Sequence, residues 1–347
     1  MQAPLQTERL DARSGHRQAA DSIRRAAEIL RAGGTVAFPT ETVYGLGANA
    51  LSSLAVAQIF TAKQRPNWDP LIVHVSNPAM LRNIAAVTPR AESLIAAFWP
   101  GPLTLLLERT SNIPDLVTAG RPLVGVRMPR HPPALALINA AQLPIAAPSA
   151  NRFGHTSPTT AAHVFEDLDG RIDAILDGGA TTVGLESTVL DPATLTIYRP
   201  GAITAAMIEA ALPDEDAGPV HTFHPPAIAR SPESLPSPGV GIRHYAPRAR
   251  LILVADEAEL QSRIADLSAT EKLGVMLPAN WSIPSGISVE AYAWAHWQDT
   301  EALAQTLFAG IRDLDARSVT VILCPMPPAN GLGLAIRDRL EKAARTA

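Results

Sequence analysis

Between residues 213 and 250 the chain stops reading like the inside of a protein. Eight prolines fall there, together with Asp214-Glu215-Asp216 and no periodic apolar pattern. Proline lacks a backbone N–H and fixes φ, so such a segment is extended and belongs to neither a helix nor a central strand. This break divides the 347 residues into two pieces that must each bury a core of their own. The expected organisation is a first domain over 1–212, a linker over 213–250 and a second domain over 251–347. Ser237-Pro238-Gly239 and His244-Tyr245-Ala246-Pro247, flanked by arginines, predict that part of the linker docks. Tyr245 then either covers a site or only anchors the linker on a surface.

In the first piece, residues 21–31 carry Ile23, Ala27 and Ile29-Leu30 at helical spacing, with Asp21 as the cap and Gly33-Gly34 as the stop. Residues 35–38 read as a buried strand. The polar run from Thr40 to Gly47 follows at once. It is either a ligand loop or a strand-to-helix turn whose threonines and glycines serve capping and positive φ. Residues 55–63 predict a helix that Pro66 cannot continue, and 71–73 a buried strand. Further strands are expected at 103–107, 123–129, 144–147, 172–176, 187–190 and 195–198, with helices at 92–99, 132–141 and 202–212 and one ending at 165. One sheet in an α/β or α+β arrangement follows. Beyond the linker, strands at 251–254, 273–277 and 319–323 alternate with helices at 257–267, 300–314 and 332–344. That alternation predicts a parallel sheet built of βαβ units. Gly331-Leu332-Gly333 is half a dinucleotide fingerprint and carries no assignment.

The formal charge of −4 gives no global basic field towards nucleic acid or anionic membrane. The lone cysteine, Cys324, excludes a disulfide framework and a cysteine zinc site. It ends an apolar run, as a core thiol would. Residues 1–20 are polar and lack an apolar signal region, which predicts a ragged start and a cytoplasmic location. No apolar run reaches the length of a membrane span.

No nucleophile elbow, Walker A loop or HExxH pattern is present. What recurs is a set of cations at loop positions, Lys63, Arg65, Arg127, Arg130, Arg152 and Arg199, among the hydroxyls of Thr40, Thr42, Ser149, Ser157, Ser187 and Thr188. Lys63-Gln64-Arg65-Pro66-Asn67-Trp68-Asp69-Pro70 places two cations where a helix ends and a strand begins. Either they form a solvated basic loop or they hold a polyanion such as a triphosphate. As loop cations, each is expected to tolerate alanine within about 1 kcal/mol of stability. Such a set suits catalysis by positioning and charge stabilisation.

Phe38-Pro39-Thr40-Glu41-Thr42-Val43-Tyr44-Gly45-Leu46-Gly47, Lys63-Gln64-Arg65-Pro66, Ala147-Pro148-Ser149-Ala150-Asn151 and Glu186-Ser187-Thr188-Val189 resemble the motifs of the YrdC-like threonylcarbamoyl-AMP synthases. Ser237-Pro238-Gly239 and His244-Tyr245-Ala246-Pro247, with the trailing α/β piece, resemble the long two-domain form. The likeness runs motif by motif from Ala19 to Pro247 and only by layout beyond.

The resemblance implies an N-terminal α/β domain with a twisted mixed sheet and a smaller, Rossmann-like parallel C-terminal domain. It implies a reaction of L-threonine, bicarbonate or CO₂, and ATP, with Mg²⁺ assisting, to give threonylcarbamoyl-AMP and pyrophosphate. The product is destined for tRNA, and the transferase machinery is an indirect partner. Threonine or bicarbonate contacts fall on Thr42, His74, Arg127, Ala147 and Ser187. ATP contacts fall on Lys63, Arg65, Asp69, Leu123, Ser149, Ser157, Arg199 and Tyr245, with Lys63 and Arg65 as the catalytic cations. Tyr245 in a docked linker would keep water from the mixed anhydride. Asp69 departs from the family's usual Asn, and its carboxylate repels a triphosphate unless a cation intervenes.

A tRNA- or double-stranded-RNA-binding module without ATP turnover is the alternative from another class. Net acidity and 5% aromatic residues disfavour it, because RNA readers stack bases on exposed rings. A carbamoyl-transfer domain of larger maturation proteins would bring cysteine-rich zinc segments, which this chain lacks.

Overall fold

Period-2 alternation along very short strands sends neighbouring side chains to opposite faces of a sheet. Val36 and Phe38 join one core cluster while Ala37 joins another, and Ile145 and Ala146 divide in the same way. The computed structural model describes residues 6–15, 17–213, 218–223 and 245–345. These fall into two compact units. One holds the described residues up to 223 except 154–157 and 183–185, and the other holds those two segments and 245–345.

The first unit begins with β1 (Glu8–Asp11), α1 (Ala19–Arg31), β2 (Val36–Phe38), β3 (Gly45–Asn49) and α2 (Ser53–Lys63). Next come β4 (Ile72–His74), α3 (Pro78–Ile84), α4 (Pro89–Phe98), β5 (Leu103–Glu108) and α5 (Asp115–Thr118). Then follow β6 (Leu123–Arg127), α6 (Pro132–Ala141), β7 (Ile145–Ala146) and α7 (Ala161–Leu168). It ends with β8 (Ala174–Asp177), β9 (Thr188–Asp191), β10 (Thr196–Arg199), α8 (Ala205–Ala211) and β11 (His221–Thr222). The strands form a mixed sheet in the order β1-β8-β2-β3-β7-β4-β6-β5-β9-β10-β11. Helices α1 and α6 cover one face through Ala26, Leu30, Leu137 and Ile138. The other face is covered through Ile59 of α2, Ile84 of α3, Leu94 of α4 and Val164 of α7.

The second unit contains β12 (Arg250–Val254), α9 (Glu257–Leu267), β13 (Leu273–Leu277), β14 (Glu290–Ala293), α10 (Thr300–Ala316), β15 (Val321–Pro325) and α11 (Gly333–Ala344). Its four strands run in the order β12-β15-β13-β14 and every pairing is parallel. Helix α9 packs on β12 and β15, α10 on β13 and β14, and α11 on β12. Cys324 is buried in β15, and burial pushes its thiol pKa up, away from thiolate chemistry.

Four local expectations are corrected. The supposedly ragged start contains a strand: Glu8-Arg9-Leu10-Asp11 pairs in parallel with 174–177, although it offers only one apolar side chain. Asp21 is not the cap of α1, whose N-cap is Gln18. The helix starts earlier, leaving Asp21 in the first turn, paired with Arg24. The run after Phe38 returns into a strand, β3, antiparallel to β2, and does not turn into a helix. Its Gly47 has no room for a side chain, since a Cβ there would stand 2.7 Å from Ile145 and 2.8 Å from Phe38. Finally, β14 completes the second sheet where no strand was expected. Of the linker motifs, 237–239 and His244 lie outside the described residues.

Candidate active site

The end of α2 builds the first part of the site. Ser52 caps the helix, its Oγ accepting from the Ala55 N–H at 3.3 Å. Val56, Ile59 and Phe60 bury one side. The helix stops where Gln64 adopts a left-handed φ of 55°, which lets the Arg65 N–H reach back to the Phe60 carbonyl at 3.0 Å. Pro66 then prevents any continuation.

This geometry turns both cations inward, leaving Lys63 1% and Arg65 8% exposed. Lys63 Nζ donates to the Ser149 carbonyl at 2.6 Å and to the Asn151 carbonyl. Arg65 donates through Nε to the Asp69 carbonyl at 3.2 Å and through Nη2 to that of Pro70 at 2.9 Å, and Nη2 lies 2.8 Å from Asp69 Oδ2. They are therefore not cations of a solvated loop, and the expectation that alanine costs little stability is corrected. Removing one partner of a buried ion pair strands the other charge.

Burial pulls Lys63 well below the ordinary amine pKa, and the neighbouring Arg65 adds to the shift. Burial pushes the Asp69 carboxyl up, against the pull of Arg65, Lys63 and Arg199. Asp69 thus carries its own counter-cation, which answers the repulsion expected of a carboxylate at this position. Its Oδ1 accepts no hydrogen bond from a described residue.

The loop between β2 and β3 forms the second part. Thr40 Oγ1 donates to the Val43 carbonyl at 2.6 Å and lies 2.8 Å from Thr42 Oγ1. Gly45 bridges to Ser149, which joins this loop to the carbonyls that hold Lys63. Parallel pairing of β4 with β6 sets His74 beside Arg127. Arg127 Nη1 donates to Thr42 Oγ1 at 2.9 Å and lies 3.7 Å from Glu41 Oε1. Both Arg127 and Glu41 are 2% exposed. Glu41 Oε2 accepts the Arg130 N–H at 3.1 Å. Neither Arg127 Nε nor Glu41 Oε1 has a hydrogen-bond partner among the described residues. Burial lowers the Arg127 pKa, and Glu41 opposes the shift.

His74 is buried, with the Phe38 ring edge-on at 5.9 Å and no hydrogen-bond partner for Nδ1 among the described residues. Burial first, and the Arg127 cation second, hold its pKa well below the usual imidazole value. Burial lowers His131 too, against Glu41. Both therefore take up a proton less readily in the fold than in the unfolded chain, which does so near pH 6.5. Stability present above pH 6.5 is therefore lost as pH falls below it, for the fully buried His74 by up to about 1.4 kcal/mol per pH unit and for the partly exposed His131 by less. Urea titrations at pH 7.5 and 5.5 should show this loss, and His74→Gln should reduce it. Asp69, shifted up, acts in the opposite sense closer to its own range.

The third part lies at β5, β9 and β10. Ser187 Oγ is 2.8 Å from Thr104 Oγ1, and Arg199 donates to the Ser187 carbonyl at 3.0 Å and to its Oγ at 3.1 Å. Arg199 also acts on Asp69 electrostatically, which ties this part to the first. Ala147 donates its N–H to the Ile72 carbonyl at 2.8 Å. Leu123 opens β6, half-buried against the cluster of Ile72, Leu106 and Val189. Ser157 and Tyr245 belong to the second unit. There the Tyr245 ring stacks on Phe308 at 5.5 Å, with Arg339 at 5.4 Å from its centroid.

Sequence reading quoted Glu41 only as one carboxylate in a polar loop, and it passed over Thr104. The available signal for Thr104 was a lone hydroxyl inside Leu103-Thr104-Leu105-Leu106-Leu107. For Glu41 it was a charge between two threonines directly after a buried strand.

The Sua5/YciO/YrdC family model, described as "Telomere recombination", matches residues 28–201. A second, described as "Threonylcarbamoyl-AMP synthase, C-terminal domain", matches residues 203–345. A threonylcarbamoyl-AMP synthase of Pyrococcus abyssi is 43% identical over 335 residues, covering 93% of this chain and 94% of that protein. One from Bacillus subtilis is 42% identical over 337 residues, covering 93% and 92%. The crystal structure of P. abyssi Sua5 complexed with L-threonine superposes with a TM-score of 0.88 at 40% identity, over 97% of this chain and 98% of that one. Both units of the fold, and the motifs that hold Lys63, Arg127 and Ser187, fall within these matches. The chain belongs to the Sua5/YciO/YrdC family, in its two-domain form.

Proposed function

We propose that this chain is an L-threonylcarbamoyladenylate synthase. The amine of L-threonine combines with CO₂, losing a proton, or with bicarbonate, losing water, to give an N-carboxylate whose oxygen attacks the α-phosphorus of ATP. Pyrophosphate leaves, and the threonylcarbamoyl group stays on AMP. The substrate supplies the nucleophile, so the protein needs only to position and to stabilise charge.

The observation that carries this reading is the buried guanidinium of Arg127. Thr42 and Glu41 occupy its Nη1 side, while Nε has no acceptor among the described residues. A guanidinium edge of this kind suits a carboxylate bidentately. Thr42, His74, Arg127, Ala147 and Ser187 are assigned to threonine and bicarbonate. Lys63, Arg65, Asp69, Leu123, Ser149 and Arg199 are assigned to ATP. Ser157 and Tyr245 join the ATP set on the strength of the family resemblance alone. Lys63 and Arg65 take the charge that moves onto pyrophosphate. Burial pulls the Lys63 pKa down, and the negative charge of an arriving triphosphate opposes that shift.

Mg²⁺ belongs to the proposal as a companion of the triphosphate. Among the described residues no group of three His, Cys, Asp or Glu side chains is placed to hold a metal ion. A small hard cation is commonly held by substrate phosphates and water with few protein ligands, and Asp69 already has a cation of its own chain, Arg65 Nη2 at 2.8 Å from its Oδ2. Bound to the triphosphate, the ion would neutralise phosphate charge. Delivery of the product to tRNA through a transferase, and a cytoplasmic location, complete the reading. Among the described residues no helix is long and apolar enough to cross a membrane.

The test is pyrophosphate release from ATP and Mg²⁺ with threonine and bicarbonate each supplied or withheld. Release that requires both is the expected result. Release without threonine would mean a pyrophosphatase or another acid substrate, and no release under any condition would end the enzymatic reading.

A further inference from the structure

Glu41 sits where a carboxylate is costly to keep. It is 2% exposed, its Oε2 is engaged by the Arg130 N–H at 3.1 Å, and its Oε1 accepts no hydrogen bond. The cation nearest to that oxygen, Arg127 Nη1, stands 3.7 Å away, beyond hydrogen-bond reach. An unpaired charged oxygen out of water is destabilising, so a position like this is kept where an arriving group satisfies it.

On the far edge of the same Arg127, Nε is a buried donor that lacks an acceptor among the described residues. An unsatisfied donor and an unsatisfied acceptor therefore flank a single buried guanidinium. An α-amino acid zwitterion carries the matching groups, a carboxylate and an ammonium on adjacent atoms. We infer that Glu41 Oε1 receives the substrate ammonium and so makes the site selective for α-amino acids over α-hydroxy acids. The inference rests on the threonine reading proposed above and adds to it the group that recognises the amine.

A competing role would make Glu41 only the counter-ion that orients Arg127. The two differ in what an amine-less ligand feels. Binding of L-threonine and of 2,3-dihydroxybutanoate, which replaces the amine by a hydroxyl, is measured by titration calorimetry on the full chain and on Glu41→Gln. A hydrogen bond between ammonium and carboxylate corresponds to roughly 10- to 150-fold in affinity.

The wild type should favour threonine over the hydroxy acid by about that factor. Glu41→Gln should lose about 30-fold for threonine and less than threefold for the hydroxy acid. Equal losses for both ligands would overturn the inference and make Glu41 a positioning residue for Arg127; no loss for either would overturn it outright. If Glu41→Gln does not fold, Glu41→Asp carries the same comparison, with selectivity again the quantity that must fall. Failure of the wild type to bind threonine, together with threonine-independent pyrophosphate release, would bring down the functional reading and this inference with it. A wild type that binds threonine without a ligand-selective loss in the variant would bring down this inference alone.

Discussion

Arg65→Ala should lower both stability and turnover, and a second substitution should separate the two effects. Without Arg65, the carboxylate of Asp69 stays 2% exposed and loses the guanidinium 2.8 Å away. A buried charge stripped of its partner costs about 3–5 kcal/mol, to be read from urea denaturation. In Arg65→Ala/Asp69→Asn the stranded charge is gone, and more than half of that loss should return. Pyrophosphate release should remain down by roughly 10²–10³-fold in kcat/KM, since the cation proposed to face the phosphates is still missing. Recovery of activity along with stability would show that Arg65 serves the fold and not the chemistry. Asp69→Asn alone should lower the ATP KM, because it releases the guanidinium from competition with its own chain.

Lys63→Met should fold and fail to turn over. Methionine fills nearly the same volume with a flexible apolar chain, but it removes both donors to the Ser149 and Asn151 carbonyls. The part-buried Ser149 carbonyl and the buried Asn151 carbonyl each lose this donor, at about 1–3 kcal/mol each. Loss of the ammonium should reduce kcat/KM by about 10³-fold. Lys63→Arg should not rescue, since a planar fork cannot replace a compact ammonium at a site that is 1% exposed. Activity within tenfold of wild type in either variant would remove Lys63 from the catalytic set.

Much of this architecture was legible because its signals are local. Proline at the start of α6 and the apolar run of β13 predict their elements to the residue, since chain geometry alone decides there. Other elements were hidden because their cause lies elsewhere in the chain. Glu8-Arg9-Leu10-Asp11 has no strand pattern and is a strand only because β8 offers it an edge. Gly45-Leu46-Gly47 looks like a turn, yet the glycines permit a close approach to Phe38 and Ile145.

The same division holds in the candidate site. Motif order pointed to Lys63, Arg65, Thr42 and Arg127, but burial could not be read from their charge. The left-handed residue after α2 turns the cations inward, and nothing in Lys63-Gln64-Arg65 announces it. Asp69 looked like a source of repulsion until its distance to Arg65 made it a counter-ion. Glu41 became a candidate only because its Oε1 and the Nε of the neighbouring Arg127 both lack hydrogen-bond partners among the described residues.

The pairing of β1 with β8 has a consequence for synthesis. A strand at residues 8–11 finds its partner at 174–177, and β2 pairs with that same late strand at 174 and 175. As the ribosome delivers the chain, these early segments emerge long before their neighbour exists. Pairings this far apart in sequence form slowly, and the exposed backbone of an unpaired strand is a template for association with other chains. The nascent chain therefore passes through an interval of vulnerability that ends only when β8 has emerged. Synonymous or temperature changes that slow elongation between these segments lengthen that interval, and the yield of soluble protein is where they register.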